Sequence, residues 1–138
     1  MRKSEKLEKK CLNCGKPIPN RNVYCNNKCQ CEYQLNETFK LLEEGKFDNL
    51  GRNDTIDSLT KKYLIKKHGN KCMKCSWNEI NPWTGRIPIE LNHIDGDSEN
   101  HDLKNTEIIC PSCHSLTEFY GRRGKGRSWR YENYIKIK

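Results

Sequence analysis

The chain has 138 residues, 33% of them hydrophobic and 32% charged, with a formal net charge of +8. A chain so short and polar buries too little apolar surface to fold on a core alone, so something else must hold it together. No stretch approaches the roughly 18 apolar residues of a membrane span, and Met1-Arg2-Lys3-Ser4-Glu5-Lys6 leads into no apolar secretory segment. The expectation is therefore a cytoplasmic protein with no membrane partner.

In chain order, residues 1–10 read as a basic tail. Residues 11–31 carry the first cysteines among Gly15, Pro17, Pro19 and several Asn, which is turn composition. Residues 32–44 place Leu35, Phe39 and Leu42 at helical spacing, with Gly45 as a C-cap. Residues 46–54 read as a linker. A second helix is predicted to start after Asp54 or Thr55 and run to His68, closed by Gly69, with Ile56, Leu59 and Tyr63 on its buried face. Ile87 to Asn92 alternates like a half-buried strand. A polar loop runs from Ile94 to Asn105, and Thr106 to Ile109 is a second strand. Pro111 opens a last helix, expected to reach about Phe119. Trp77, Trp83 and Phe119 are expected in the core, because a chain poor in aliphatics must pack its aromatics.

Eight of the nine cysteines fall into tight pairs: Cys11 and Cys14, Cys25 and Cys29, Cys72 and Cys75, Cys110 and Cys113. Pairs separated by two or three residues turn both thiolates toward one tetrahedral ion. In a reducing compartment this favours zinc over disulfides, and two structural Zn2+ sites result. Cys31 is the odd one. Either Cys29 or Cys31 can complete the first site, and Cys29 is preferred because Cys25-x3-Cys29 follows Tyr24 and leads into a helix. Two tetrathiolate sites would lower the net charge to about +4.

The remaining charge is clustered. Lys61, Lys62, Lys66, Lys67, Lys71 and Lys74 form one run, and Arg122, Arg123, Lys125, Arg127 and Arg130 another. Such runs favour polyanions, chiefly nucleic acid. Trp129 and Tyr131 stand among the second run, to stack on bases or to pack that arm back on the domain.

The second four-cysteine site clips a knuckle to the start of the last helix, so residues 76–109 must fold as a returning hairpin. Inside that clip lie His93 just past the first strand, Asn105 at the end of the loop, and His114 one residue past Cys113. Histidine is the side chain best suited to take a proton from water near neutral pH. Phosphodiester hydrolysis also needs a divalent cation for the developing charge, and groups that hold the base. His93 can be that base, Asn92 and His114 can flank the cation, and Asn105 can pin the loop behind His93. His101 is a candidate to touch phosphate or assist the metal; His68 reads as solvated. Asp95-x-Asp97-x-Glu99 lacks the glycine of a calcium loop at Asn100, so Asp95 and Asp97 read as turn formers.

The stretch Leu91-Asn92-His93-Ile94-Asp95-Gly96-Asp97, then Asn105, then Ile109-Cys110-Pro111-Ser112-Cys113-His114, resembles the HNH (ββα-metal, or His-metal-finger) endonucleases, most of all the phage enzymes that carry zinc knuckles. The Cys11-to-Cys29 module resembles the small zinc fingers found ahead of such domains. The resemblance implies a small α+β protein: a zinc-stabilised ββα-metal domain over 57–124, a zinc-finger module with its tail over 1–31, a helix and linker over 32–56, and a basic arm over 125–138. It implies cleavage or nicking of double-stranded DNA, with His93 as general base, Asn105 positioning it, and Mg2+ or Mn2+ at Asn92 and His114. Lys61, Lys62, Lys66, Lys67 and the second basic run would hold the DNA backbone. Many members carry Asp or His where this chain has Asn92, a weaker ligand. The alternative is a zinc-stabilised nucleic-acid-binding module whose HNH site is inactive. If phage-encoded, the protein would act in the host cytoplasm. The oligomeric state is left open, a monomer among the options.

Overall fold

The computed structural model describes residues 9–47 and 55–121. The chain divides into two compact units, residues 1–51 and 52–138. Residues 1–8 of the predicted basic tail, most of the linker and the whole arginine-rich run fall outside the described residues, whereas Lys9 and Lys10, read as tail, form a strand.

The first unit is a zinc-finger-sized fold. Strands β1 (Lys9–Lys10) and β2 (Pro17–Ile18) pair antiparallel. Helix α1 (Asn27–Glu43) follows, capped by Asn26, whose side chain accepts from the Cys29 amide at 2.8 Å. The helix therefore begins five residues before the expected position. The polar run Asn27-Lys28-Cys29-Gln30-Cys31 hides it from a periodicity argument, whereas Asn26 is a strong N-cap. Phe39 and Leu42 are buried along α1, and Ile18, Cys11 and Cys29 cluster with Tyr24 and Cys25 packed against them.

The second unit is α+β. Helix α2 (Ile56–His68) has the predicted limits, with Thr55 capping the Ser58 amide and Gly69 following at φ +85°. Leu59, Thr60, Tyr63 and Leu64 are its buried residues, and it packs on the sheet. Strands β3 (Glu90–His93) and β4 (Thr106–Ile109) pair antiparallel, with Asn92 opposite Glu107 and His93 opposite Thr106. The first strand is shorter than the apolar alternation suggested, and His93 is its last residue rather than lying beyond it. Pro88 cannot donate to a ladder, which delays pairing to Glu90.

Helix α3 (Pro111–Ser115) is only five residues long. The Thr117 hydroxyl donates to the His114 carbonyl at 2.8 Å, and that of Ser115 donates to the Ser112 carbonyl at 2.7 Å. These side chains offer the backbone an alternative to further helix, so it stops short of Phe119. Trp83 is also a correction: it is 93% exposed, on a turned segment with no core beneath it. Trp77, in contrast, packs on Cys72, Ile109 and Cys110.

Candidate active site

The two cysteine sets assemble as two four-sulfur clusters, Cys11, Cys14, Cys25 and Cys29 in the first unit and Cys72, Cys75, Cys110 and Cys113 in the second. Tetrahedral zinc with bonds of about 2.3 Å spaces its sulfurs ~3.8 Å apart. Here Cys14 and Cys25 are 3.6 Å apart and Cys75 and Cys110 3.7 Å, so both clusters fit structural zinc. Cys31 is exposed on α1 and belongs to neither.

The two leading knuckles share one backbone design. The Cys11 amide donates to the Lys16 carbonyl and the Gly15 amide returns to Cys11; the Cys72 amide donates to Trp77 and the Ser76 amide returns to Cys72, all at 2.9 Å. The returning residue is left-handed in both, Gly15 at φ +71° and Ser76 at +63°. Amide donors reach the sulfurs: Cys25 to Cys11, Cys75 to Cys72 and Cys113 to Cys110. In the metal-free clusters, backbone donors led by that of Cys14 hold the Cys11 thiol down to about 6. Burial opposes ionisation at Cys72, yet amides of Cys110, Cys75 and Lys74 bring it to about 6 as well. Their neighbours keep the proton: hydrogen bonding to Cys29 pushes Cys25 up to about 12, and hydrogen bonding to Cys110 does the same for Cys113.

The second cluster anchors the hairpin. The Met73 amide donates to the Ile108 carbonyl at 2.9 Å, joining the knuckle to β4. Cys110 caps α3, which places His114 in its last turn. Cys72 and Ile109 are wholly buried.

The loop between the strands is organised around Asn105. Its Oδ1 accepts from the Asp95 amide at 3.0 Å, and its Nδ2 donates to Asp95 Oδ1 at 2.9 Å and to the Asn100 carbonyl at 3.0 Å. The Ile94 amide donates to the Asn105 carbonyl, and the Gly96 amide to that of His93. The residue following His93 is thus tied directly to Asn105. Asp95, Asp97 and Asp102 each accept from an amide two residues on. Donors led by the Asp97 amide, then Asn100 and Asn105, hold the Asp95 carboxyl below the usual carboxylate range. These are turn-forming carboxylates, each spent within the loop.

Strand alternation divides the other candidates between two faces. Asn92 is buried, and its Nδ2 donates to Glu107 Oε1 at 2.9 Å; Lys74 closes on the same carboxylate oxygen at 3.1 Å. Glu90, two residues before Asn92 and so on the same face, pairs with His114 Nδ1. The ring of Tyr120 meets His114 edge-on at 5.3 Å. His93 turns the other way. Its Nε2 lies 3.5 Å from Asp57 Oδ1 in the first turn of α2, and its ring meets that of His101 at 6.0 Å. Asn92 and His114 therefore share a face with Glu90 and Glu107, while His93 joins Asp57 and His101. Glu90 went unremarked in the sequence, although its spacing from Asn92 was a readable signal. Asp57 had none, being an ordinary acidic residue at a helix start.

The lysines of α2 are not equivalent. Lys61 donates to the Ile89 carbonyl, and Lys67 donates to the Tyr63 hydroxyl at 3.2 Å and lies over its ring. Lys62, Lys66 and Lys67 are all exposed. Arg122, Arg123, Lys125, Arg127 and Arg130 lie outside the described residues. Among the described residues, no helix is long and apolar enough to cross a membrane.

Residues 7–39 match a family described as a probable treble clef. A segment of 73 residues is 36% identical to the H-N-H endonuclease F-TflIV of Escherichia phage T5, covering 52% of this chain. The chain spans about a third of that relative's length (32%). No solved structure matches. The two similarities link the chain to treble-clef zinc domains and, in part, to an HNH endonuclease.

Proposed function

We propose that this protein is a metal-dependent endonuclease of the HNH type that hydrolyses phosphodiester bonds in double-stranded DNA, with residues 57–124 as its ββα-metal nuclease domain. One observation carries the reading. His93 ends a strand inside a four-cysteine clip, and the loop leaving it is fastened by Asn105 to Asp95 and Asn100.

His93 takes the proton from the attacking water at Nδ1, its Nε2 being turned to Asp57. Asn105 acts through the loop, holding the backbone on which His93 stands. On the opposite face Glu90, Asn92 and His114 would hold a divalent ion. The donor set fits Mg2+ or Mn2+: a carboxylate, an amide oxygen and one imidazole. Asn92 gives its nitrogen to Glu107, which turns its oxygen into the ligand atom and orients it, as outer hydrogen bonds do for metal ligands. A bound ion there supplies Lewis acidity for the charge that develops on phosphate and leaving oxygen. Lys62 and Lys66 hold the DNA backbone.

A second reading is a DNA-binding module without turnover. It is favoured by Asn92, a neutral donor where a carboxylate would bind more strongly, and by the pairing of Glu90 with His114. Supercoiled plasmid incubated with Mg2+, Mn2+ or EDTA, beside a His93→Ala variant, separates the two. Metal-dependent nicking or linearisation, lost in a variant that still shifts DNA in a gel, supports the nuclease. Gel shifts by both proteins with no cutting under any ion supports the binding module.

A further inference from the structure

The cluster behind His93 has a chemistry of its own. Asp57 Oδ1, His93 Nε2 and His101 Nδ1 come from the start of α2, the end of β3 and the connecting loop, and all three lie within 4.8 Å of one another. Asp57 Oδ1 is 3.3 Å from His101 Nδ1 and 3.5 Å from His93 Nε2. Asp57 Oδ1 and His93 Nε2 are inaccessible to solvent and make no hydrogen bond. An acid in the first helical turn has a ready role in complementing the helix dipole, but that role keeps the carboxylate in water. Buried polar atoms left without a partner are costly. Two that face each other at these distances mark a place where something else binds.

We propose that Asp57, His93 and His101 form a third metal site, for a first-row divalent ion of the zinc class. Zinc bonds to imidazole nitrogen and carboxylate oxygen of about 2.0–2.1 Å place neighbouring tetrahedral ligands ~3.3 Å apart, which is the spacing found between Asp57 and the two histidines. Two imidazoles and one carboxylate suit zinc, cobalt or nickel, and suit magnesium poorly because it prefers oxygen. Three protein ligands leave a position open, in contrast to the closed four-sulfur clusters. The site does not depend on the nuclease reading. One consequence does rest on it: an ion held on His93 Nε2 draws electron density from the ring and makes Nδ1 a poorer base, so zinc slows magnesium-dependent cleavage.

The test counts metal. The full chain carrying its two structural zinc ions is titrated with cobalt(II) in a large excess of magnesium, which keeps the Glu90, Asn92 and His114 face occupied, and bound cobalt is measured after gel filtration together with the visible spectrum. The expected result is one further ion per chain with weak tetrahedral d–d bands and no added thiolate-to-cobalt charge transfer. Asp57→Asn and His101→Gln should each lose that ion while keeping both zinc ions, which shows that they fold. His114→Gln should keep it. A wild-type chain that takes up no ion beyond the structural two, retention of the ion by both variants, or its loss in His114→Gln overturns the proposal. Zinc inhibition of cleavage should be present in the wild type and absent in His101→Gln. A protein that takes up the third ion yet cuts no DNA refutes the nuclease and leaves the metal site standing.

Discussion

The ring of Phe119 lies directly against the α-carbon of Gly96: a methyl group on Gly96 would stand 2.5 Å from Phe119 Cγ and 2.8 Å from its Cβ. Gly96 is also left-handed, at φ +76°. The pair locks the turn behind His93 to the segment after α3. Gly96→Ala should therefore cost about 2–4 kcal/mol, summing backbone strain and overpacking. Urea denaturation of the zinc-loaded protein checks this. In a Phe119→Gly background, which removes both the ring and its Cβ, the same substitution should cost clearly less, because only the strain remains. Equal costs in both backgrounds would show that the ring contact is irrelevant.

Asn105 offers a sharper separation of stability from activity. Asn105→Ala removes three hydrogen bonds from an exposed loop and leaves the Asp95 amide open to water. The stability loss should stay near 1 kcal/mol. Cleavage should fall at least tenfold, with Kd for DNA little changed, since the base loses its anchor and the lysines do not. Asn105→Asp should be no better than Ala, because a carboxylate would replace the amide that donates to Asp95 Oδ1. Full activity in either variant removes Asn105 from the mechanism.

The lysines of α2 predict opposite outcomes within one helix. Lys62→Ala and Lys66→Ala should each weaken DNA binding and lower the slope of log affinity against log salt by about 1. Lys61→Ala should instead reduce stability, since its ammonium serves the Ile89 carbonyl. Fluorescence anisotropy over a salt series, beside a thermal melt, distinguishes them. Equal salt slopes for Lys61→Ala and Lys62→Ala would show that both contact phosphate.

How much of this could be read in advance depended on how local each signal is. Thr55 and Gly69 bracket α2 because capping is decided within a few residues, and the Cys pairs announce zinc because a knuckle is a short turn. Non-local choices were hidden. Trp83 is exposed because the turn around Asn81, whose Oδ1 accepts from the Trp83 and Thr84 amides, carries it away from any core. Hydrophobicity alone suggested the reverse. Asp57 meets His93 only through the packing of α2 on the sheet, 36 positions away, and an acidic first turn gives no hint of it. The two-sided placement of Asn92 and His93 was legible in principle, since neighbours on a strand point to opposite faces. It was obscured by treating His93 as lying beyond the strand.

Zinc retention should depend on pH with a definite sign. Zinc binds thiolates, so each ligand must give up any proton it carries. In the metal-free clusters Cys11 and Cys72 have fallen from the ordinary 9.0 to about 6, whereas Cys25 and Cys113 have risen to about 12. Through neutral pH the raised pair keep their protons, and zinc must displace them, so affinity climbs as pH rises. The depressed pair act at the other end. Their ionisation contributes stability in full above pH 9, and that contribution shrinks as pH falls and is gone below about 6, where protons compete for two further sulfurs. Zinc release to a chromophoric chelator should therefore steepen below about pH 6, with loss of α1 and α2 helicity by circular dichroism following the metal. Removal of zinc at neutral pH should melt the hairpin that carries His93 and Asn105, abolishing DNA cleavage, and added magnesium should not restore it. Release that is flat between pH 8 and pH 5 would mean that the sulfurs are not the zinc ligands.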